Sequence, residues 1–220
     1  MITERQSVEI RMSRYLCLVS TVMLAIFAMP VAPIHAQTII DEWASVKVPP
    51  PPELKPVTVD PKTTALLMLD FMNQNCGQRP RCVASIPAVK KLLGEARAAK
   101  VAVVYAIITD TTTADVIKDV APTTDEPWIR SGADKFINTD LEKILKDKGI
   151  QTVIVTGTAS NAAVLFTAAG AAQRGMNAIV PVDGMSGIDA YADLTTAYMI
   201  ATAPVISVRS ILTKIDMIKF

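Results

Sequence analysis

Residues 151–175 constrain the fold more than any other stretch of this chain. Gln151–Thr156 is β-branched and apolar, Gly157–Ser160 is a run of small residues, and the Ala-rich segment after it stops at Gly175. The spacing predicts a strand, a tight turn and a helix, which is half of a βαβ unit. In open parallel α/β sheets the binding crevice lies beyond the carboxyl ends of the strands, so Gly157–Ala163 is expected to lie over the site. Amides at the helix start are available there to an anion or a polarised carbonyl. Where a nucleophile would be expected, the helix start carries Ala162 and Ala163.

The rest of the chain continues the alternation. Thr64–Leu69 is a continuous apolar run closed by Asp70, as in a parallel strand buried on both faces. From Ser85 to Lys100, Ile86, Val89, Leu92, Leu93 and Ala96 recur at helical spacing, which predicts one apolar helix face. Val101–Ile108 predicts a second strand. Residues 114–134, broken by Pro122, Pro127 and Gly132, predict a long irregular loop able to wall a pocket, with Trp128 either lining that wall or pinning the loop to the core. Thr139 and Glu142 have the spacing of a capping box for a helix that stops at Gly149. Asn177–Val182 predicts a strand with Asp183 at its end, Ala190–Ala201 a helix and Val205–Val208 the last strand. Ile211–Phe220 is expected to pack back as a turn or helix. The architecture predicted for residues 62–220 is a three-layer α/β/α sandwich with a mostly parallel central sheet. Residues 37–61 carry Pro49–Pro52 and Pro56, which exclude helix and central strand there and predict an extended surface arm.

The first 36 residues read as a signal peptide. Arg5, Arg11 and Arg14 precede the apolar run Leu16–Met29, and the segment ends on Ala36, a small residue suited to cleavage. Read as a membrane anchor instead, the run is shorter than the ~20 residues a spanning helix needs. The expected location is periplasmic or secreted, with no stable membrane insertion after cleavage. Cleavage removes His35, the only histidine, and with it Ser-His-Asp and Cys-His catalysis and the usual imidazole zinc sites. The remainder has equal numbers of acidic and basic residues, so there is no electrostatic argument for nucleic acid as a partner. Cys17 leaves as well, and Cys76 and Cys82 in an oxidising compartment read as one disulfide tying a loop, with two free thiols as the alternative.

The ionisable groups at the predicted strand ends are Asp70, Asp110 and Asp183, joined by Arg130, Asp134 and Lys135 from the long loop. A carboxylate ending a buried strand is partly desolvated, which fits it for acid or base work unless a cation holds it ionised. On the same evidence Asp70 could equally cap or fix a loop. Asp183 precedes Gly184, which favours a turn-forming role. No Gly-rich phosphate loop or dinucleotide fingerprint is present in the sequence, and no cofactor or metal is expected.

The strand ending in Asp70, the Phe136–Leu145 stretch, Gly149 with Ile150, and Val153–Gly157 followed by Ser160 and Asn161 together resemble the isochorismatase-like hydrolases, also called the cysteine hydrolase superfamily, over residues 62–210. The resemblance implies a site that joins an aspartate, a lysine and a cysteine. Asp70 matches the aspartate. Arg130 sits closest to the lysine position counted back from Phe136, with Lys135 as a displaced substitute. Gly157–Ala163 matches the pattern Gly-x-x-Thr-Asn-x-Cys, with Ser160 at the threonine, a cis peptide at Ala159–Ser160, and Ala163 where the cysteine belongs. Met72-Asn73 stands where Gln-Asn commonly follows the aspartate. Asn73, Trp128, Ser160, Asn161 and Ala162 are the residues expected around a substrate.

Isochorismatases proper likewise lack the cysteine; they cleave a vinyl ether with the aspartate as general acid, and water adds to the resulting cation. The expectation is an exported, homo-oligomeric hydrolase acting on a small polar or anionic molecule without a thiol nucleophile. The alternatives are a non-catalytic small-molecule binding protein that retains the pocket, or a cysteine amidase inactivated at Ala163.

Overall fold

Apolar runs bounded by Gly, Pro and Asp become short parallel strands in the computed structural model, which describes residues 38–220. The signal-peptide reading, His35 and Cys17 lie outside the described residues. Residues up to 49 form one unit and residues 50–220 another. The described part of the first holds a single-turn helix, Ile39–Glu42 (α1). Part of the predicted extended arm is therefore helical: the prolines begin only at Pro49, and the Asp41 carboxylate accepts the Thr38 N–H at 2.8 Å, closing the turn.

In the second unit β1 is Val57–Thr58, β2 Thr64–Leu69, α2 Pro80–Ala98, β3 Ala102–Ile107 and β4 Trp128–Arg130. These are followed by α3 Leu141–Asp147, β5 Thr152–Thr158, α4 Leu165–Gln173, β6 Asn177–Pro181, β7 Met185–Ser186, α5 Ala190–Thr202, β8 Ser210–Thr213 and β9 Ile218–Lys219. The main sheet is parallel in the order β4-β3-β2-β5-β6-β8, with β7 paired to the end of β5. Alternation along β2 builds both cores. Leu67 and Leu69 pack with Leu145, Ala168 and Ile200 from α3, α4 and α5, while Leu66 and Met68 pack with Val89, Leu92 and Leu93 of α2. The result is the three-layer sandwich with a largely parallel sheet. The chain leaves β2 toward β3 on one side and returns to β5 on the other, so the strand order reverses between β2 and β5. Crevices in doubly wound sheets open at such a reversal.

Several boundaries differ from the sequence expectation. Helix α2 starts at Pro80, five residues before Ser85, because proline at the first helical position forfeits no hydrogen bond. The 114–134 loop contains the edge strand β4, parallel to β3. It is pinned to the core by Tyr105, whose hydroxyl donates to the Val120 carbonyl at 2.8 Å, and by the Arg97–Glu126 ion pair at 2.7 Å. Trp128 does not pin it: the residue is 45% exposed.

The last main-sheet strand is Ser210–Thr213 rather than Val205–Val208. Val205–Val208 is β-branched but unburied, with Val208 at 80% exposure, and turn bonds such as Ile206 N–H to Pro204 O at 2.8 Å hold it off the sheet. Residues 218–219 form a strand that pairs with β1, so the second half of the arm is anchored too. The Thr139–Glu142 capping box does not form. Thr139 Oγ1 accepts the Leu141 N–H at 3.2 Å, but the Glu142 carboxylate is taken by Arg174 at 2.8 Å and Lys146 at 2.6 Å.

At Gly157 the two central strands approach closely. Its φ is +144°, and a Cβ there would run into the Leu69 carbonyl oxygen and lie 2.6 Å from the Leu69 Cβ. Gly157→Ala is expected to cost roughly 3 kcal/mol or more, through backbone strain and overpacking together. Urea denaturation checks this, and an unchanged midpoint would refute the close approach.

Candidate active site

Asp70 follows the last residue of β2 with φ +57°, a left-handed conformation that Asp tolerates better than most residues. Its amide donates to the Ala106 carbonyl at 3.0 Å, and its own carbonyl accepts the Met72 N–H at 2.8 Å. The side chain is thereby fixed at the head of the β2–β5 reversal. Asp70 is 5% exposed. Its Oδ2 accepts from Lys135 Nζ at 2.7 Å, whereas its Oδ1 has no hydrogen-bond partner. Lys135 is wholly buried, and Nζ also donates to the Gly132 carbonyl at 2.8 Å. Burial pushes the Asp70 carboxyl above the ordinary carboxylate range, with Lys135 and Arg79 opposing the rise.

Lys135 reaches inward because its neighbours are tied down. Asp134 accepts the Phe136 N–H at 2.9 Å, Phe136 is buried in the core, and the Lys135 carbonyl accepts from the Thr139 hydroxyl at 2.5 Å. Arg130, the other residue expected near Asp70, is not there. It is exposed on β4, donates to the Thr111 carbonyl at 2.6 Å, and has its guanidinium 5.4 Å from the Trp128 ring. An edge strand fixes its backbone, and the neighbouring carbonyl and ring hold its charge outward, so Arg130 borders an adjacent cavity of about 570 Å³ instead.

A cavity of about 310 Å³ opens at Asp70, lined among others by Asn75, Arg79, Thr158, Ala162 and Ala163. The peptide between Thr158 and Ala159 is cis, one bond earlier than the expected Ala159–Ser160. The β5 ladder runs through Thr158, which pairs with Ser186, and Ser160 already belongs to the helical turn. Residues 160–164 form a single wide π turn before α4. The Ala162 N–H is donated to the Ala159 carbonyl at 3.2 Å, so it is not free for an oxyanion.

Of the other expected substrate contacts, Ser160 is wholly buried beneath the turn and Asn161 is exposed; neither lines the cavity. Asn73 is exposed as well. Its backbone N–H is tied to the Asp115 carbonyl at 2.8 Å, and Asn75, two residues on, takes the place at the cavity wall. Trp128 lines neither cavity. Asp183 acts structurally, accepting the Ile215 N–H at 2.9 Å.

The charged wall residue that sequence reasoning missed is Arg79. It caps the start of α2 inside the ring closed by the Cys76–Cys82 disulfide, its own N–H donating to the Cys76 carbonyl at 2.9 Å. Its Nη1 donates to Thr158 Oγ1 at 3.2 Å, and that hydroxyl donates onward to the Ser186 carbonyl at 3.0 Å. The sequence did hold a signal: an arginine between two cysteines, immediately before a helix-starting proline and nine positions after Asp70. Among the described residues no group of three or more His, Cys, Asp or Glu side chains could hold a metal ion, and no helix is long and apolar enough to cross a membrane.

Three comparisons bear on this arrangement. The model of the isochorismatase domain family matches residues 64–210. A nicotinamidase from Acinetobacter baylyi is 37% identical over 66 residues, 30% of this chain and 31% of that protein, so the match spans about a third of the curated relative. A cysteine hydrolase from Pseudomonas syringae superposes with a TM-score of 0.65 at 21% identity, over 75% of this chain and 94% of that one. An isochorismatase-like hydrolase from Alkaliphilus metalliredigens does so with a TM-score of 0.64 at 22% identity, over 71% and 96%.

Proposed function

We propose, from the premise that this chain belongs to the isochorismatase family, that it hydrolyses a small polar or anionic molecule with Asp70 as the general acid and without a thiol nucleophile. The observation that carries the reading is the buried Asp70–Lys135 pair at the cavity head, whose carboxylate keeps Oδ1 unpartnered and a raised pKa. On an enol ether, protonated Asp70 gives its proton to the terminal carbon of the double bond, which leaves an oxocarbenium ion. Water adds to the oxygen-bearing carbon of that cation and returns a proton to Asp70, and the hemiketal breaks into an alcohol and a carbonyl compound. Lys135 holds the carboxyl in place, and the turn at Ala162–Ala163 closes the far wall. In this reading Ala163, one of the residues lining the cavity, takes the position that the sequence pattern assigns to the family's cysteine.

Export is part of the same proposal. It rests on the basic and apolar run before Ala36 and gains support from the Cys76–Cys82 disulfide, which persists in oxidising compartments. A homo-oligomer is proposed from the exposed Ile188, Tyr191, Tyr198 and Met199 on and beside α5. The amidase alternative draws on one observation, that a small side chain stands in the cavity wall at the helix start.

The test is hydrolysis of a panel of enol-ether acids, amides and imides by the protein and by Asp70→Asn and Ala163→Cys variants. Enol-ether cleavage lost in Asp70→Asn is the expected result. Amide hydrolysis that appears only with Ala163→Cys would overturn the thiol-free reading and identify a disabled amidase.

A further inference from the structure

We infer that Arg79 anchors a carboxylate of the ligand, making this a site for small monocarboxylates; the inference rests on the proposed use of the Asp70 cavity. Arg79 and Asp70 are the charged residues in the cavity lining. The Asp70 charge is already matched by Lys135 at 2.7 Å, so the guanidinium is the charge left over.

Arg81, Arg97 and Arg174 are spent on Asp193, Glu126 and Glu142, and Arg130 and Arg209, which donate to backbone carbonyls, do not line this cavity. Arg79 instead meets a neutral hydroxyl at 3.2 Å, a weak partner for a group that prefers bidentate carboxylates. Two further atoms in the same lining point independently to a ligand. Asp70 Oδ1 and Ser131 Oγ are buried and have no hydrogen-bond partner, and polar groups in such positions are normally satisfied. With Asp70 matched by Lys135, one uncompensated cation suits a monoanion, whereas a dianion would leave one negative charge without a partner. The Cys76–Cys82 ring constrains the backbone on both sides of Arg79, so less backbone freedom is lost on binding.

The experiment measures binding without turnover. Acetate, pyruvate and benzoate, with benzamide as the neutral counterpart of benzoate, are titrated into the protein and into Arg79→Met and Arg79→Lys, followed by ligand-observed NMR. The carboxylates are expected to bind the unmodified protein, to weaken roughly 10- to 100-fold with Arg79→Met, and to recover in part with Arg79→Lys, while any benzamide binding stays unchanged. Equal carboxylate affinity in Arg79→Met, or no carboxylate binding to the unmodified protein, would overturn the assignment. Carboxylate binding that depends on Arg79 in a protein inert toward every panel compound would leave this inference standing and sink the hydrolase reading alone.

Discussion

Lys135→Met is expected to lower the melting temperature by roughly 10 °C, corresponding to about 3–5 kcal/mol for breaking a buried ion pair in a domain of this size. Both partners are dry: the Lys135 and Asp70 side chains are 1% and 6% exposed. Removing the ammonium leaves a carboxylate that already lacks a partner on Oδ1, and its desolvation goes uncompensated. The penalty must depend on pH. Burial holds the folded-state pKa of Asp70 above its unfolded value, so the folded protein binds the proton more readily than the unfolded chain does. The stability linked to that proton is present at low pH and lost as pH rises through the raised pKa. In Lys135→Met the penalty should therefore be greatest above the Asp70 pKa and shrink as acidification neutralises the carboxyl. Asp70→Asn added to Lys135→Met should restore much of the loss, since neither charge then remains. A deficit equal at all pH values and undiminished in the double variant would show that Lys135 matters only as packing. Differential scanning fluorimetry across a pH series is sufficient.

The same pair shows how far residue patterns carry. The strand ending in Asp70 could be read because a continuous apolar run has few other fates in a parallel sheet, and the strand-turn-helix at 151–175 was legible for the same reason. Arg130 and Lys135 could not be ranked from the sequence. Arg130 is fixed by β4, a three-residue edge strand whose existence depends on pairing with β3 rather than on its own pattern. Lys135 depends on Asp134, Phe136 and Thr139 each finding a partner outside the loop. Arg79 was passed over although its surroundings were suggestive, because the register that brings it to Thr158 spans 79 residues of sequence and is set by the packing of α2 on the sheet. The disulfide could be proposed from compartment and spacing. That it encircles a cavity residue is a tertiary fact. Val205–Val208 failed in the opposite sense, because β-branched composition without burial does not select a strand.

Asp70→Asn is expected to lower enol-ether hydrolysis by roughly 10²- to 10⁴-fold, the range that positioned general acids contribute. The amide keeps the size of the carboxyl and an oxygen for Lys135 Nζ, so what is lost is the proton donor. The pH dependence separates this role from a merely structural one. An acid must be protonated to act, so the rate of the unmodified protein should fall as pH rises through the Asp70 pKa, which burial has moved upward. The residual rate of Asp70→Asn should show no such limb. Lys135 opposes the upward shift, so in Lys135→Met the limb should move to higher pH even where the rate itself suffers from a less firmly held carboxyl. A proton donor and a pinning residue thus leave different signatures on the same plot. If Asp70→Asn is as fast as the unmodified protein, or slower by the same factor at every pH, Asp70 is not the acid; the cavity would then have to work through its turn and Arg79, as a binding site rather than a catalyst.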